Sequence, residues 1–464
     1  EVEHYRAKVQ ENNKGRHVSN NNIDNELEDK LNSGLIDERL SAAIFAGEQI
    51  ENLGLYQDKT DEVNNHIHTS FSFSPYSPSK AAYMARAAGL KAAGSVDHDS
   101  IGAASEMVEA CKAFKIGSTV GCELRVNFTG TFLEEKKLNN PDSLNSGYIV
   151  IHGVPHDRID EVSEWLKPVN EERNLRNRKQ VDKLNSILPD GILDPLDFDV
   201  DIYPLSEAAN GGSITERHIL FALSNRIIGC LGKGAGTIDY LTEKLGINIP
   251  AKMEELFFDE ANPHYVYDLL GVLKGNIVSR FFIQPNESEC PNAAGVVDFA
   301  NRIGAIPAYS YLGDVAQSPT GDKKAEKFED DFLDEMFPLV KEIGFKAITY
   351  MPPRNTMKQL LRIQDLCAGH GFMQISGVDI NSSRQVFRCP EIMLPEFSHL
   401  IGSTWALIAH EHLASIDSSF ALFNEDGKFS GFSLDERLEI YSDVGSKMDL
   451  RHPERVIDYI RRIK

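Results

Sequence analysis

The chain has 464 residues, 41% of them hydrophobic and 25% charged, which is an ordinary globular composition with enough length to bury a large core without disulfide staples. Length alone allows about two to four domains, or one barrel with additions. The formal net charge of -22 excludes nucleic acid and anionic membranes as principal partners, because neither attracts a strongly acidic surface; a small anionic substrate stays compatible, since a bound cation reverses the field inside one pocket.

Residues 1–62 are polar and Asn-rich. Leu27, Leu31, Leu35, Leu40, Ile44 and Ile50 recur at roughly helical intervals, so one or two helices are expected to pack outside the main domain, with 1–20 a partly disordered leader. From Val63 the pattern alternates. Val63–His68 reads as a strand, Pro78–Gly89 as a helix capped by Ser77, Ala92–Asp97 as a strand, Ile101–Phe114 as a helix and Ser118–Glu123 as a third strand. That rhythm argues for a parallel sheet with crossover helices. Residues 156–290 behave as an insertion, opening with a long charged helix over Asp160–Leu188 and including a helix that starts at Thr215. The alternation resumes over 291–390, with helices at Asn292–Gly304, Asp331–Gly344 and Met357–Gly371 and strands at Ala305–Tyr311, Lys346–Tyr350 and Met373–Asp379. The tail, 391–464, reads as helices packed on the barrel.

The six cysteines form no CxxC pair and read as reduced, mostly buried thiols. No apolar run approaches the roughly 18 residues of a membrane span. The opening EVEHYRAKVQENNKG lacks the apolar centre of a signal peptide, so a cytoplasmic location is expected unless a segment has been removed ahead of it.

Chemistry centres on His66-Ile67-His68-Thr69. On a strand, residues two apart share a face, so both imidazoles reach toward one ion at a barrel mouth. Asp97-His98-Asp99, Gly121-Cys122-Glu123 and Asp379-Ile380-Asn381 fall at the ends of other predicted strands, where βα barrels place their active sites. Glu and Asp are seldom buried without partners, and a cation is a natural one.

The run from HIHTSFSFS through SVDHDS to VGCEL resembles the amino-terminal half of the PHP (polymerase and histidinol phosphatase) family, with its HxHT, TDHD and GxE motifs; the likeness continues through ITERHILFAL to SGVDIN. The resemblance implies a distorted, TIM-barrel-like α/β barrel of seven strands, interrupted by a cap, and a cluster of divalent ions (manganese, iron or zinc) that hydrolyses phosphate esters. It assigns His66, His68, Glu123 and Asp379 to metal binding and aligns His98 with the second motif. Departures are equally specific. Phe73 stands where the family has Asp, Tyr148 and Tyr311 where it has His, and Asn381 where it ends in His. Aromatic rings do not replace imidazole as ligands. The expectation is one tightly bound ion with room for a weaker second, His98 acting as general acid or base with help from Asp97 or Asp99, and Phe73, Tyr148 and Asn381 filling the space of further ions. His152 and His156 read as exposed loop histidines, or as substitute nitrogens beside Tyr148.

Within the insertion, Arg173 and Arg176 lie three apart on one helix face and suit a phosphate, as guanidinium forks do; the alternative is a solvated helix paired to Glu171 and Glu172. His218, in a segment resembling the family's cap motif, is expected to face the substrate. Gly232–Thr237 lacks P-loop spacing and reads as a loop, His410-Glu411-His412 as structural. The function expected is a phosphoesterase acting on a small phosphorylated substrate through a metal-activated water. An amidohydrolase-like enzyme and an inactive binding protein are the alternatives.

Overall fold

Seven strands form one sheet in chain order: β1 (Val63–Ile67), β2 (Ala92–His98), β3 (Gly117–Asn127), β4 (Ser146–His152), β5 (Ile306–Tyr311), β6 (Ala347–Tyr350) and β7 (Met373–Ser376). The computed structural model describes residues 23, 25–53, 60–141, 143–315, 326–452 and 455–460; the expected leader at 1–20 lies outside them. Residues on both faces of these strands are buried almost throughout, as in sheets covered on both sides. Crossover helices Pro78–Ala87, Ala104–Phe114, Leu333–Ile343 and Met357–His370 make β1–β2–β3 and β5–β6–β7 parallel.

β4 departs from the expected parallel sheet. It runs antiparallel to both β3 and β5. The cause is its connection: among the described residues of 128–145 only a short 3-10 turn forms, Phe132–Glu135, and a parallel return needs a longer crossover. The sheet curls, but no ladder joins its ends. β1 meets the chain beyond β7 through a single bridge, Ile67 to Ile380, so the expected barrel is a curled seven-stranded sheet with a clasp.

Between β4 and β5 the described residues are helical, with Ile159–Ile187, Glu216–Leu231 and Tyr265–Phe281 gathered round their own apolar core of Leu184, Ile219, Leu223, Leu269 and Leu273. Pro168 falls inside the first helix. A short helix, Ala235–Asp239, takes up part of the glycine-rich segment read as a loop.

Before β1, helices Asn25–Lys30 and Ile36–Leu53 pack on the outside through Leu27, Leu31, Ala43 and Ala46. Leu35 and Ile44, expected in the apolar stripe, are 68% and 56% exposed. The face that turns inward is fixed instead by Arg39, whose buried guanidinium binds Glu106 at 2.8 Å and Glu207 at 2.6 Å. All six cysteines are unpaired, and only Cys230 is exposed.

Helix His399–Ile416 lies against β1, β3 and β7. Its Thr404 hydroxyl accepts the Asn65 amide at 2.7 Å, and Glu411 accepts the Val120 N–H at 2.8 Å. His410 donates from Nε2 to the Gly153 carbonyl and accepts the Leu422 N–H at Nδ1, at 3.0 Å each, which makes it a structural residue. Burial pushes the Glu411 carboxyl up to about 7, against the pull of His156, whose Nε2 is 3.4 Å away. A folded pKa above the unfolded value means Glu411 supports the fold fully below about pH 4.5 and loses that contribution as pH rises through about 7. Glu411→Gln has no such titration. Urea melts at pH 5 and pH 8 should show the wild type losing on the order of 2–3 kcal/mol relative to the variant; a difference that does not change with pH would contradict the assignment.

No described helix is long and apolar enough to cross a membrane.

Candidate metal centre

The clasp between β1 and the chain after β7 sets the site. The β1–β2 register shifts between Asn64 and Ile67, so the strand leaves regular alternation just where the first histidine stands. Asn64 Oδ1 accepts the N–H groups of His66, at 3.0 Å, and Val378, at 2.8 Å. His68 N–H donates to the Ile380 carbonyl at 3.0 Å, and Ile380 N–H to that of His66 at 3.3 Å. Gly377 permits this approach: a Cβ there would lie 2.4 Å from His66 Cβ. Asp379 is thereby held beside both imidazoles. On the other side, β2 and β3 bring His98 and Glu123 into direct register.

His66, His68 and Glu123 are buried, and one donor atom from each lies within 4.8 Å of the others. His66 Nε2 is 3.8 Å from Glu123 Oε1, and His68 Nε2 is 3.4 Å from Asp379 Oδ1. The electrostatics suit a divalent cation. Burial, reinforced by the neighbouring His98, holds His68 down at about 3, so its imidazole is neutral and able to ligate. Burial opposes charge on Glu123, but His98, His66 and His68 outweigh it and hold the carboxyl at about 2. Asp379 is likewise lowered despite burial, by His68, His66 and Arg217. Two imidazoles and two carboxylates form a donor set that fits zinc, manganese or iron.

His98 stands at the rim. Its Nδ1 is 2.9 Å from Glu123 Oε2, and its ring stacks on His68 with centroids 4.5 Å apart. The partner that orients it is therefore Glu123, not the expected Asp97 or Asp99. Asp97 precedes His98 on the strand and points the other way. It accepts Thr69 N–H and Oγ–H at 2.7 Å each and Ser72 Oγ–H at 2.6 Å, which ties down the turn after β1 and leaves no contact with the reaction space. Asp99 is ion-paired to Arg173.

A cavity of about 710 Å³ opens over these groups, lined among others by His66, His98, Glu123, Tyr148, Arg217 and Asp379. Tyr148, Tyr311 and Asn381 line it too. Tyr311 donates to Asp330 at 2.5 Å. Asn381 bridges Asp379 Oδ1, at 2.6 Å, and Arg217 Nη1, at 2.7 Å. Phe73 corrects the sequence reading. Held at φ 96°, it turns away into the core of the insertion, against His218, Phe221 and Tyr267. His152 is not an exposed loop residue: it is buried, with no partner for Nε2, and lies near enough to His66 and Glu123 to sense their charge.

The cap residues sit differently from expectation. Arg176 grips Glu289 with Nε at 2.5 Å and Nη2 at 2.7 Å, and Nη1 donates to Glu216 at 2.7 Å and to the Ile283 carbonyl at 3.0 Å. These bonds occupy its fork, so it is a structural cation instead of a substrate ligand. Arg173 pairs with Asp99 and Glu289, although it also lines a second cavity. His218 closes a capping box on Thr215, accepting its N–H at 3.1 Å; it is buried and lines neither cavity. Two cations that sequence reasoning missed line these cavities: Arg217, next to His218, lines both, and Arg125, two residues beyond Glu123 on the same strand, lines the second.

No protein-family model matches the chain, and no curated protein sequence matches it. Among the solved structures that resemble it in part are two hydrolases by description. One is described as a "putative metal-dependent phosphoesterase" from Bifidobacterium adolescentis, 15% identical, with a TM-score of 0.46 over 73% of this chain and 96% of that one. The other is an amidohydrolase from Chromobacterium violaceum with bound sulfate and no metal, 14% identical, with a TM-score of 0.46 over 71% and 90%.

Proposed function

We propose that the protein is a metal-dependent hydrolase that cleaves a phosphate ester of a small molecule. The observation that carries this reading is the convergence of His66, His68 and Glu123, with Asp379 beside them, next to a cavity that Arg217 and Arg354 also line. The four side chains would hold one divalent ion, of manganese, iron or zinc, which supplies Lewis acidity when bound. The chain's own residues do the rest. His98, oriented by Glu123, lines the cavity and would take or give a proton there. Arg217, aligned by Asn381, offers hydrogen bonds to a phosphoryl oxygen. Arg354 adds positive charge on the far wall. This cationic lining favours a phosphate ester over a neutral amide, for which the arginines would have no use.

Metal analysis followed by a screen of phosphate and amide substrates tests the reading. Phosphate esters should be hydrolysed only by metal-loaded protein. His98→Asn should keep its metal and lose about 10²–10⁴ in kcat. Hydrolysis that survives complete metal removal, or amide cleavage without ester cleavage, would overturn it.

A further inference from the structure

Beside the metal cavity lies a second chamber of about 570 Å³, and the two share His98, Tyr148, Arg217 and Lys274. Its distinctive feature is Arg125. β3 and β4 are antiparallel with Arg125 directly opposite Tyr148, and Glu123 two residues earlier on the same face. A continuous path therefore runs from Glu123 to His98 (2.9 Å), to the Tyr148 ring (5.5 Å between centroids) and to Arg125, whose Nη2 donates to the Tyr148 hydroxyl at 2.9 Å. Arg125 is 4% exposed, yet its Nε and Nη1 have no hydrogen-bond partner. A buried guanidinium with two unanswered donors is costly, on the order of 1–3 kcal/mol for each unsatisfied group, unless something in the chamber answers it. Its carboxylate neighbours are already committed. Glu216 and Glu289 both bind Arg176. Arg173, Arg217 and Lys274 line the same chamber, while Leu220 and Phe282 give it an apolar wall.

We infer that Arg125, with Tyr148 and Arg217, forms a second anion subsite, and that the substrate carries an acidic group, phosphate or carboxylate, on the leaving-group side of the ester. This rests on the hydrolase reading for the word substrate, but the subsite itself does not. The scissile phosphoryl group would lie over His66, His68 and Glu123, the apolar body of the leaving group against Leu220 and Phe282, and the second acid at Arg125. Tyr148 is then a positioning residue that aims the guanidinium.

The test uses full-length protein stripped of metal with chelator, titrated calorimetrically with inorganic phosphate and, in a second arm, malonate. Arg125 lines the second chamber and not the first, so the Arg125-dependent part of the binding reports the second chamber. Wild type should bind at least one of the two anions, and the arm that binds identifies the acid. Arg125→Met should weaken that binding at least tenfold, while Arg302→Met, at an exposed site remote from the chamber, leaves it unchanged. Should Arg125→Met fail to fold, Arg125→Lys and Tyr148→Phe carry the comparison, each with an expected loss of severalfold or more. On metal-loaded protein, Arg125→Met should raise KM tenfold for a phosphate ester bearing a second acid and spare p-nitrophenyl phosphate. Absence of anion binding to the wild type, or unchanged affinity in the folded variants, overturns the subsite even if esters are hydrolysed. Arg125-dependent anion binding in a protein that hydrolyses no ester upholds the subsite and removes the hydrolase reading alone.

Discussion

His68→Ala should lose more than about 100-fold in affinity for a divalent ion, since removing even an outer partner of a metal ligand typically costs about 10–100-fold. His68 is the most buried member of the donor set: it is 1% exposed, its backbone is clasped to Ile380, and its Nε2 is 3.4 Å from Asp379. No nearby side chain replaces it. His98 is committed to Glu123 through Nδ1, and His152 does not join the group of converging donors. The fold should survive, because truncation leaves His66 and Asp379 within reach of water from the cavity. Competition against a chromophoric chelator measures the affinity, with circular dichroism as the folding control. Metal affinity within threefold of wild type would contradict the ligand assignment.

Arg176→Met should destabilise the protein by about 3–5 kcal/mol, the usual consequence of breaking a buried ion pair from one side; Arg173, 3.4 Å from Glu289 and already paired to Asp99, answers only part of the remaining charge. Glu289 is 1% exposed and receives both of its strongest bonds from Arg176. The same arginine ties the insertion's first helix to Glu216 at the start of Glu216–Leu231 and to the Ile283 carbonyl after Tyr265–Phe281. Three helices thus meet on one guanidinium. Denaturant unfolding measures the loss, and pairing the change with Glu289→Gln should recover part of it, because the stranded charge is then gone. A loss below about 1 kcal/mol, or no recovery in the double variant, would show that the cluster is not coupled as the distances imply.

This histidine and this arginine show what was legible in the sequence. The HxH pair and the GxE glutamate were readable because each is local: a short apolar run ends in a residue type that a core tolerates poorly, and the strand ends do converge. Asp379 followed by the same logic, although β7 stops at Ser376 and the aspartate is placed by the clasp to β1. The fate of Arg176 was not legible. Its partners are 40 and 113 residues away in sequence, so the local pattern showed only Glu171 and Glu172 as candidates. Arg125 was missed for a nearer reason. The third strand was expected to end at Glu123, whereas it runs to Asn127, and a residue two beyond a ligand on a continuing strand shares its face. The apolar run Tyr148–His152 carried the strand signal that would have revealed β4, but it was read as a ligand motif. Its antiparallel direction could have been argued from the lack of a helix between Asn127 and Ser146. Phe73 went wrong because a left-handed turn, invisible in composition, aims it at the insertion.

The most direct test of the central claim is anomalous diffraction from crystals of manganese- or zinc-loaded protein. One dominant peak is expected, with nitrogens of His66 and His68 and an oxygen of Glu123 within roughly 2.0–2.3 Å of it and Asp379 adjoining. A metal-loaded crystal with no peak among those side chains, or with three equally occupied peaks there, would contradict the account.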